Sequence, residues 1–363
     1  MTGPVGLVHD YLLVLRGAER AFAAIAECWP DAPIYTTLYR ADGTAGVFEG
    51  REVVTSSLQR LHVGQRTFRA LLPLYPRAVE RLPVQRHRLI VSSSSAFAHG
   101  IRPGPGAIHV CYCHSPFRYA WQERQVAELA VPAIARPPLR LMLKRARRWD
   151  LAAASRVTHY IAVSESTRER VRRLYGREAS VVHPPVAVER FSSAEPEDYF
   201  LVVTELVPHK RVHVALEGAR RAGRRVVVVG GGGAARSLRS EFSDIAEFVG
   251  RVSDRRLAEL YARARALLVP STEEFGIAAV EAQAAGRPVL AIGRGGALET
   301  VLDGETGVLL PRGDADEFAE ALREVDFGRF SSELAIRNAS RFATARFKQR
   351  LRSEVARLAG TTA

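Results

Sequence analysis

Short apolar runs alternate with segments of helical spacing along the whole chain. In the first half, each apolar run is only long enough for a buried strand, while residues 18–28, 138–155 and 165–175 repeat apolar positions at helical intervals. Strands that alternate with helices in this order predict a parallel sheet with helices on its faces. The predicted strands lie at 5–8, within 31–39, and at 53–54, 89–91, 108–112, 158–164 and 179–186.

A second series of the same kind begins at residue 199. The polar, proline-bearing stretch SSAEPED at 192–198 precedes it and predicts a linker. The sequence therefore predicts two α/β domains, residues 1–192 and 193–339, in agreement with a length of 363 residues. Residues 333–358 form a last helical segment. The second series has predicted strands at 199–204, 224–230, 246–250, 264–270 and 288–292, and helices at 212–221 and 254–264.

Two glutamates flank a Phe-Gly turn in the second series. Glu273 precedes the turn, and Glu281 lies in the helical pattern IAAVEAQAAG behind it. A strand, a turn and a helix in this order are typical of nucleotide binding, because the first N–H groups of the helix favour an anion. The carboxylates can accept hydrogen bonds from sugar hydroxyls. The competing interpretation is an exposed helix start with incidental acids.

Other candidate residues in the second series follow strands. Lys210 comes after the strand at 199–204, where a cation suits a phosphate, and Arg211 beside it could assist. A solvated loop lysine is the alternative. The glycine run at 230–233 allows close backbone approach or a flexible turn. Gly295 and Gly296 precede the helical pattern ALETV and predict a phosphate loop, with a flexible turn as the alternative.

Two candidates lie in the first series. Gly17 lies between the first strand and the first helix, where a helix N-terminus favours an anion. His114 leaves a buried strand at its C-terminal end, where a histidine can bond a substrate hydroxyl. A structural histidine is the alternative.

The charge balance adds a possible surface. The net charge is +13, and arginine supplies all but three of the 52 basic residues. Basic residues interleaved with leucines in the helix at 138–155 and just before it predict contact with a membrane surface. A solvated face and a nucleic-acid surface are the alternatives. The residues of this predicted face are Arg136, Arg140, Lys144, Arg145, Arg147 and Arg148.

The sequence disfavours membrane-spanning, secreted and disulfide-bonded proteins. No apolar run approaches the ~18 residues of a membrane span. The N-terminus lacks the basic region of a signal peptide. Cys28, Cys111 and Cys113 are odd in number, which indicates buried thiols rather than a disulfide framework. The expected location is therefore the cytoplasm, with peripheral contact at the inner face of the membrane as an option.

The motifs, taken in register, resemble the retaining glycosyltransferase family 4 over nearly the whole chain. Within that family, the resemblance is strongest to bacterial O-antigen and exopolysaccharide mannosyltransferases. It implies the GT-B fold, with two Rossmann-like domains facing a central cleft. The N-terminal domain would bind the acceptor, the C-terminal domain the donor, and a last helix over about 340–363 would pack back onto the N-terminal domain. The motifs are HDYL with RGAER, CYCHSPFRYAW, RRWDLAAASRV, HPPV with ERF, LVPHKRV, FVGRVSD, EEFGIAAVEAQAAGRPVLA, and GRGGALETV with GETGVL.

The resemblance also implies an activity. A hexose would pass from a nucleotide sugar to a lipid-linked or other glycan with retention, by front-face departure of the nucleotide and without metal or other cofactor. GDP-mannose is the donor that the branch suggests. In this implied site, Glu281 would bind the ribose, Glu273 the donor sugar and Lys210 the diphosphate. The backbone of Phe275, Gly276 and Ile277 would contact sugar or phosphate, and the backbone of Arg251 and Val252 would contact the base. Gly17 would lie near the diphosphate and His114 near the sugar.

Two departures and three alternatives accompany this interpretation. Glu205 stands where many relatives have an arginine that binds phosphate, and the glycine run lacks an acidic residue often found in it. One alternative is a UDP- or dTDP-sugar with a soluble small-molecule acceptor, and another is a GT-B sugar-nucleotide epimerase. An arginine-rich nucleic-acid binder is the third, but it would leave the glutamate pair without a role, so no nucleic-acid partner is expected.

Overall fold

The computed structural model describes residues 5–62, 64, 67–121, 134 and 136–360. The chain divides into two compact units. Unit 1 comprises Met1–His183 and Phe347–Ala363, and unit 2 comprises Pro184–Arg346. The predicted linker at 192–198 lies inside unit 2, because Val186 donates its N–H to the Phe342 carbonyl at 2.9 Å and packs in the core of that unit.

Unit 1 contains a seven-stranded sheet in the order β3-β2-β1-β4-β5-β6-β7, and all its pairs are parallel. Apolar residues alternate between two cores, so Leu7 faces one side and Val8 the other. The order reverses between β1 and β4, which is where ligands bind in such sheets. The strands are β1 (Val5–His9), β2 (Ile34–Thr36), β3 (Val53–Thr55), β4 (Leu89–Ser94), β5 (Ile108–Cys113), β6 (His159–Ala162) and β7 (Ala179–Val181).

The helices of unit 1 cover both faces of this sheet. Phe22 and Ile25 of the first helix pack on one face, and Tyr75 of the second packs on the other. Ser164 caps the fifth helix by accepting the Thr167 N–H, and Gly176 ends it in a left-handed conformation. The helices are α1 (Gly17–Cys28), α2 (Tyr75–Glu80), α3 (Arg118–Trp121), α4 (Arg136–Ala154) and α5 (Glu165–Tyr175).

Unit 2 has a six-stranded parallel sheet in the order β10-β9-β8-β11-β12-β13, with the same reversal, here between β8 and β11. Its valine-rich strands are buried on both faces, as expected for a parallel sheet between helices. The elements are β8 (Phe200–Val203), α6 (Val212–Arg221), β9 (Val226–Val229), α7 (Ala235–Phe242), β10 (Ala246–Gly250), α8 (Asp254–Arg263), β11 (Leu267–Val269), α9 (Ile277–Ala284), β12 (Val289–Ile292), α10 (Ala297–Thr300), β13 (Gly307–Leu310), α11 (Ala315–Glu324) and α12 (Ser332–Ala339).

The segment at 333–358 is helical, as predicted, but it consists of two helices rather than one. The chain forms α12, then a short 3₁₀ turn at Ser340–Phe342, and then α13 (Thr344–Leu358). The break has a packing cause, since Phe342 is buried in the core of unit 2 and its carbonyl accepts the Val186 N–H. In α13, Phe347, Leu351 and Val355 pack in a core of unit 1.

Two expectations about composition can be compared with the structure. All three cysteines are buried thiols, as predicted. No helix in the described part of the chain combines the length and apolar character that a membrane span requires.

Candidate functional site

Lys210 and Glu273 meet at the point where the strand order of unit 2 reverses. Lys210 follows β8 and Glu273 follows β11, and the Lys210 Nζ lies 2.8 and 2.6 Å from the two carboxylate oxygens of Glu273. Ser271 donates its hydroxyl to Glu273 Oε1 at 2.5 Å. Both charged side chains are about one-fifth exposed, so a ligand at this end of the sheet can reach them. The structure therefore brings these two predicted residues together.

Glu281 is held by a tyrosine that the sequence did not indicate. The Tyr261 hydroxyl, on α8, donates to Glu281 Oε2 at 2.9 Å. Tyr261 is fully buried, and this burial raises its pKa well above the ordinary value, so it stays protonated. This hydrogen bond orients the whole Glu281 carboxylate through one of its two oxygens.

The turn between the two glutamates positions the start of α9. Gly276 has φ +93°, a conformation that glycine adopts without strain, and it contributes no side chain to cap the helix. Phe275 is buried, and its ring packs against Phe342 with a centroid distance of 5.2 Å. Ile277, the first residue of α9, is half-buried. The packing of Phe275 against Phe342 therefore holds the turn in place directly before the first residue of α9.

Gly295 and Gly296 support the Glu273 loop. Gly295 pairs with Glu273 in a parallel bridge, and the Gly296 N–H donates to the Glu273 carbonyl at 2.8 Å. A Cβ on Gly296 would lie 2.1 Å from the Phe275 carbonyl oxygen, so only glycine fits. The Gly296 N–H is therefore already used within the protein, and the phosphate loop at these two glycines stays a prediction.

Arg211 lies beside Lys210 but is directed elsewhere. Its backbone is left-handed with φ +51°, and its Nη2 donates to the Gly313 carbonyl at 3.0 Å. The Arg211 guanidinium is therefore directed to Gly313, and its part in phosphate binding stays a prediction. Glu205, where many relatives have arginine, is exposed in the loop after β8.

The glycine run at 230–233 is a packed turn. A Cβ on Gly230 would meet the Thr204 carbonyl oxygen at 1.9 Å, and one on Gly232 would meet the Leu206 carbonyl oxygen at 2.3 Å. Arg251 follows β10 and is exposed, and its Nε lies 4.0 Å from the Cβ position of Gly231. Val252 is half-buried next to it. The predicted base-contact residues thus lie beside the glycine run.

In unit 1, Asp10 ties together the two loops at the strand-order reversal. This buried carboxylate accepts the backbone N–H groups of four successive residues in the loop after β4, at 2.6 to 3.1 Å. Gly17 begins α1 after the loop of β1, where Glu19 Oε2 accepts the Arg16 N–H at 3.0 Å. Burial raises the pKa of Glu19 to about 7.

His114 lies directly after β5, as predicted. Its Nε2 is 2.9 Å from the Ser93 hydroxyl, and that hydroxyl is also 3.1 Å from His9 Nδ1. Burial lowers the pKa of His114 to about 3, so the ring is neutral. The sequence did not indicate His9 or Ser93 as partners of His114, although HDYL was among the motifs.

The basic helix α4 exposes most of the predicted basic face. Lys144, Arg145 and Arg148 are exposed together with Leu141 and Leu151. The inclusion of Arg147 in this face is wrong. Its guanidinium donates to the Ala120 carbonyl and stacks over the Trp121 ring at 5.3 Å, so it supports α3. Arg140 is exposed and Arg136 is half-buried.

Two family profiles match the chain. Residues 15–190 match Glycosyltransferase Family 4, and residues 187–337 match Glycosyl transferases group 1. A D-inositol 3-phosphate glycosyltransferase of Streptomyces bingchenggensis is 31% identical over 201 residues, which are 46% of this chain and 44% of that protein. The chain spans less than half the length of the curated relatives it matches.

Solved structures share the fold. HepE of Anabaena in complex with UDP-glucose superposes with a TM-score of 0.71 at 18% identity, covering 97% of this chain and 99% of HepE. Sucrose-phosphate synthase of Thermosynechococcus elongatus gives a TM-score of 0.73 at 16% identity, covering 98% and 99%. The predicted fold class, GT-B with two Rossmann-like parallel-sheet domains, is confirmed. The chain thus combines a GT-B fold with a match to Glycosyltransferase Family 4 in its first half, followed by a match to Glycosyl transferases group 1 in its second.

Proposed function

We propose that the chain transfers a hexose from a nucleoside diphosphate sugar to a hydroxyl acceptor with retention of configuration. The observation that carries this proposal is the meeting of Lys210 and Glu273 at the strand-order reversal of unit 2. A cation for the diphosphate and a carboxylate for sugar hydroxyls then lie side by side, and Glu281 on α9 is the carboxylate for the ribose. Unit 2 is accordingly the donor-binding unit, and unit 1 the acceptor-binding unit.

The reaction needs one bond to break and one to form at the anomeric carbon. The bond to the diphosphate oxygen breaks, and the acceptor oxygen bonds to the same face of the sugar. The acceptor proton passes to the leaving diphosphate. Lys210 stabilises the negative charge that develops on the diphosphate, and such electrostatic stabilisation typically contributes most of the catalysis. No metal takes part in this proposal.

Lys210 must exchange partners for this to happen. Its ammonium now contacts both oxygens of Glu273, and Ser271 donates to one of them. An ammonium carries three hydrogens, so Lys210 can keep one contact to Glu273 and turn the others to phosphate. Glu273 is then freed on one side to accept from a sugar hydroxyl. The pair holds both groups in place before the donor binds.

Uridine is the base that the comparisons favour. HepE was solved with UDP, with UDP and glucose, and with UDP-glucose. GDP-mannose, which the sequence resemblance suggested, has no such support. We therefore propose a UDP-sugar donor and keep GDP-mannose as the competing donor.

The acceptor is proposed to be a polyol phosphate. The support is the name shared by the curated relatives, D-inositol 3-phosphate glycosyltransferase. One observation favours a lipid-linked glycan instead. Lys144, Arg145 and Arg148 are exposed on α4 beside Leu141 and Leu151, which suits an anionic membrane surface. Absence of binding to anionic vesicles at low salt would remove this second candidate.

The first experiment is a thermal-shift panel of UDP, GDP, ADP and dTDP, with and without a divalent cation. A ligand at about a hundredfold its dissociation constant stabilises the native state by ~2.7 kcal/mol. A shift with UDP alone, unchanged by chelator, supports the proposed donor. A shift with GDP alone would replace UDP by GDP, and no shift with any nucleotide would contradict the proposed donor site. The anomeric configuration of the product, read by NMR, tests retention.

A further inference from the structure

A cavity in unit 2 lies at the edge of the sheet opposite to Lys210 and Glu273. Its walls are formed by the segments that lead into β8, β9, β11 and β12 and by the chain between α11 and α12. Because the strands are parallel, these segments meet at the amino ends of the strands, whereas Lys210 and Glu273 follow carboxyl ends. The cavity has a volume of about 790 Å³, within the range of about 300–1,000 Å³ that is usual for small-molecule sites. We call this cavity, which is lined mainly by residues 193–196, 286–288 and 322–328, the amino-edge pocket.

Arg287 places a buried positive charge in the wall of the amino-edge pocket. It lies two residues before β12 and is only 8% exposed. Its Nη2 donates to the Ala194 carbonyl, whereas its Nε–H is buried without a hydrogen-bond acceptor among the residues that the structure describes. Arg287 also forms no ion pair with a carboxylate in the described part of the chain. Because a buried charge is costly unless it is paired, this guanidinium favours an anion that reaches it through the pocket.

Two further arginines of the pocket are bonded to carbonyl oxygens rather than to carboxylates. Arg224 donates its Nε–H to the Leu322 carbonyl at 3.1 Å, and Arg323 donates from Nη2 to the Arg221 carbonyl at 2.8 Å. The fourth arginine of the pocket, Arg265, is the exception, because it contacts Asp198 at 3.3 Å. Three guanidinium groups therefore line one cavity without a carboxylate partner among the described residues. Such groups match the oxygens of a phosphate in charge and in geometry.

The pocket also offers hydrogen-bond acceptors and an apolar wall. Its carboxylates belong to Glu195, Glu324 and Asp326, and Asp326 accepts the Gly328 N–H at 2.9 Å. Within the described ranges, none of these carboxylates forms an ion pair with the three arginines that lack a carboxylate partner. A carboxylate can accept hydrogen bonds from the hydroxyl groups of a ligand. Phe327 packs edge-on against Phe200 at a centroid distance of 5.1 Å and supplies the apolar wall.

We propose that the amino-edge pocket binds the phosphate ester of a hydroxylated small molecule. The arginines bind the phosphate oxygens, and the carboxylates accept hydrogen bonds from the hydroxyl groups of the same molecule. Inorganic phosphate alone would leave the carboxylates unused, and an uncharged polyol would leave the Arg287 charge without a partner. The site goes beyond the proposed function and does not depend on it, since Lys210 and Glu273 lie at the other edge of the sheet.

NMR of the full chain can observe the buried guanidinium directly. Protein with ¹⁵N-labelled arginine gives a proton–nitrogen signal for each Nε–H, and an Arg287→Met variant assigns the signal of Arg287. The probes are inorganic phosphate, glucose 6-phosphate and glucose, added at constant ionic strength. We expect the Arg287 signal to move saturably with glucose 6-phosphate, at lower concentration than with inorganic phosphate, and to stay in place with glucose. No saturable movement with either phosphate compound, or equal affinity for the two, would overturn the proposal.

Arg323→Met tests the pocket at an exposed position, so that the result does not depend on the folding of an Arg287 variant. Arg323 is exposed near the end of α11. Its replacement should weaken the binding of glucose 6-phosphate about tenfold, which corresponds to the loss of one hydrogen bond between charged groups. Isothermal titration measures the two dissociation constants. Unchanged affinity in Arg323→Met would contradict the assignment of this arginine to the phosphate.

Two variants serve as controls. Arg225→Met removes an exposed arginine that is adjacent to Arg224 in sequence but does not line the amino-edge pocket, and it should bind glucose 6-phosphate as the unmutated protein does. An equal loss in Arg225→Met and Arg323→Met would show attraction by the basic surface in general and would overturn the proposal. Lys210→Ala should also leave this binding unchanged, and a loss there would place the probe at the other edge of the sheet and overturn the proposal. If no nucleotide binds the unmutated protein, the proposed function fails, whereas the titrations with glucose 6-phosphate still decide the pocket.

Discussion

The Tyr261 hydroxyl donates to Glu281 Oε2 at 2.9 Å from a helix that lies before the glutamate in sequence. A hydrogen bond to a charged acceptor contributes about 1.5 to 3 kcal/mol. We expect Tyr261→Phe to leave Glu281 less well oriented and to weaken nucleotide binding by ~10-fold, since 1.4 kcal/mol corresponds to a factor of ten. Isothermal titration with UDP and GDP measures this effect.

Tyr199→Phe is the control for this prediction. Tyr199 belongs to the same core, and its hydroxyl donates to the Leu260 carbonyl at 2.9 Å rather than to a carboxylate. It should lower stability without changing the nucleotide dissociation constant. Equal weakening of nucleotide binding in both variants would show that loss of core packing, not the orientation of Glu281, is responsible.

Lys210→Ala should lower turnover strongly. The ammonium lies 2.6 Å from Glu273 Oε2, and removing such a group from a charge that develops in the transition state costs about 10²- to 10³-fold in kcat. Lys348→Ala is a fitting comparison because it breaks another lysine–glutamate ion pair, with Glu27 in unit 1. Steady-state rates of both variants decide the matter, and activity of Lys210→Ala close to the unmutated protein would contradict the proposed role.

Gly296→Ala should destabilise the protein, whereas Gly233→Ala should not. The added Cβ would lie 2.1 Å from the Phe275 carbonyl oxygen in the first case and meets nothing within 4 Å in the second. Overpacking of this kind costs about 1 to 3 kcal/mol or more. Urea unfolding of the two variants compares them directly, and equal midpoints would show that the Phe275 turn can move aside at little cost.

His109 should make the stability of the protein fall in mild acid. Burial lowers its pKa from 6.5 to about 3, so the unfolded chain binds a proton below pH 6.5 that the folded chain does not. The stabilisation is complete above pH 6.5 and is lost as the pH falls toward 3, at up to about 1.4 kcal/mol per pH unit.

His109→Gln should reduce this loss by about 1 kcal/mol between pH 7.5 and 5.5, because an amide can bond Ser92 but does not titrate in that range. Unfolding free energies at the two pH values provide the measurement. An identical pH dependence in the variant would mean that His109 is protonated in the folded protein.

The sequence was sufficient to predict the two parallel sheets, because buried parallel strands leave a local pattern of apolar residues. It also placed Lys210 and Glu273 directly after strands that end at the same edge of one sheet. It was insufficient for Tyr261 and Ser93. These residues act through partners 20 or more positions away, and a buried tyrosine or serine has no pattern that sets it apart from ordinary core residues. For Arg147 the sequence predicted too much, because its charge suggested a residue of the basic face, whereas its guanidinium contacts Ala120 and Trp121.

The C-terminal helix α13 fixes an order of events during synthesis. Unit 1 is interrupted by the whole of unit 2, and Phe347, Leu351 and Val355 fill a unit 1 core that includes Phe22 and Ile25. At roughly 5 to 20 residues per second, the ribosome needs on the order of ten to thirty seconds to pass from the first part of unit 1 to the last. During that interval the unit 1 residues that α13 will cover are open to solvent. The unit that the ribosome makes first is therefore completed last, because its core lacks α13 until unit 2 has been synthesised.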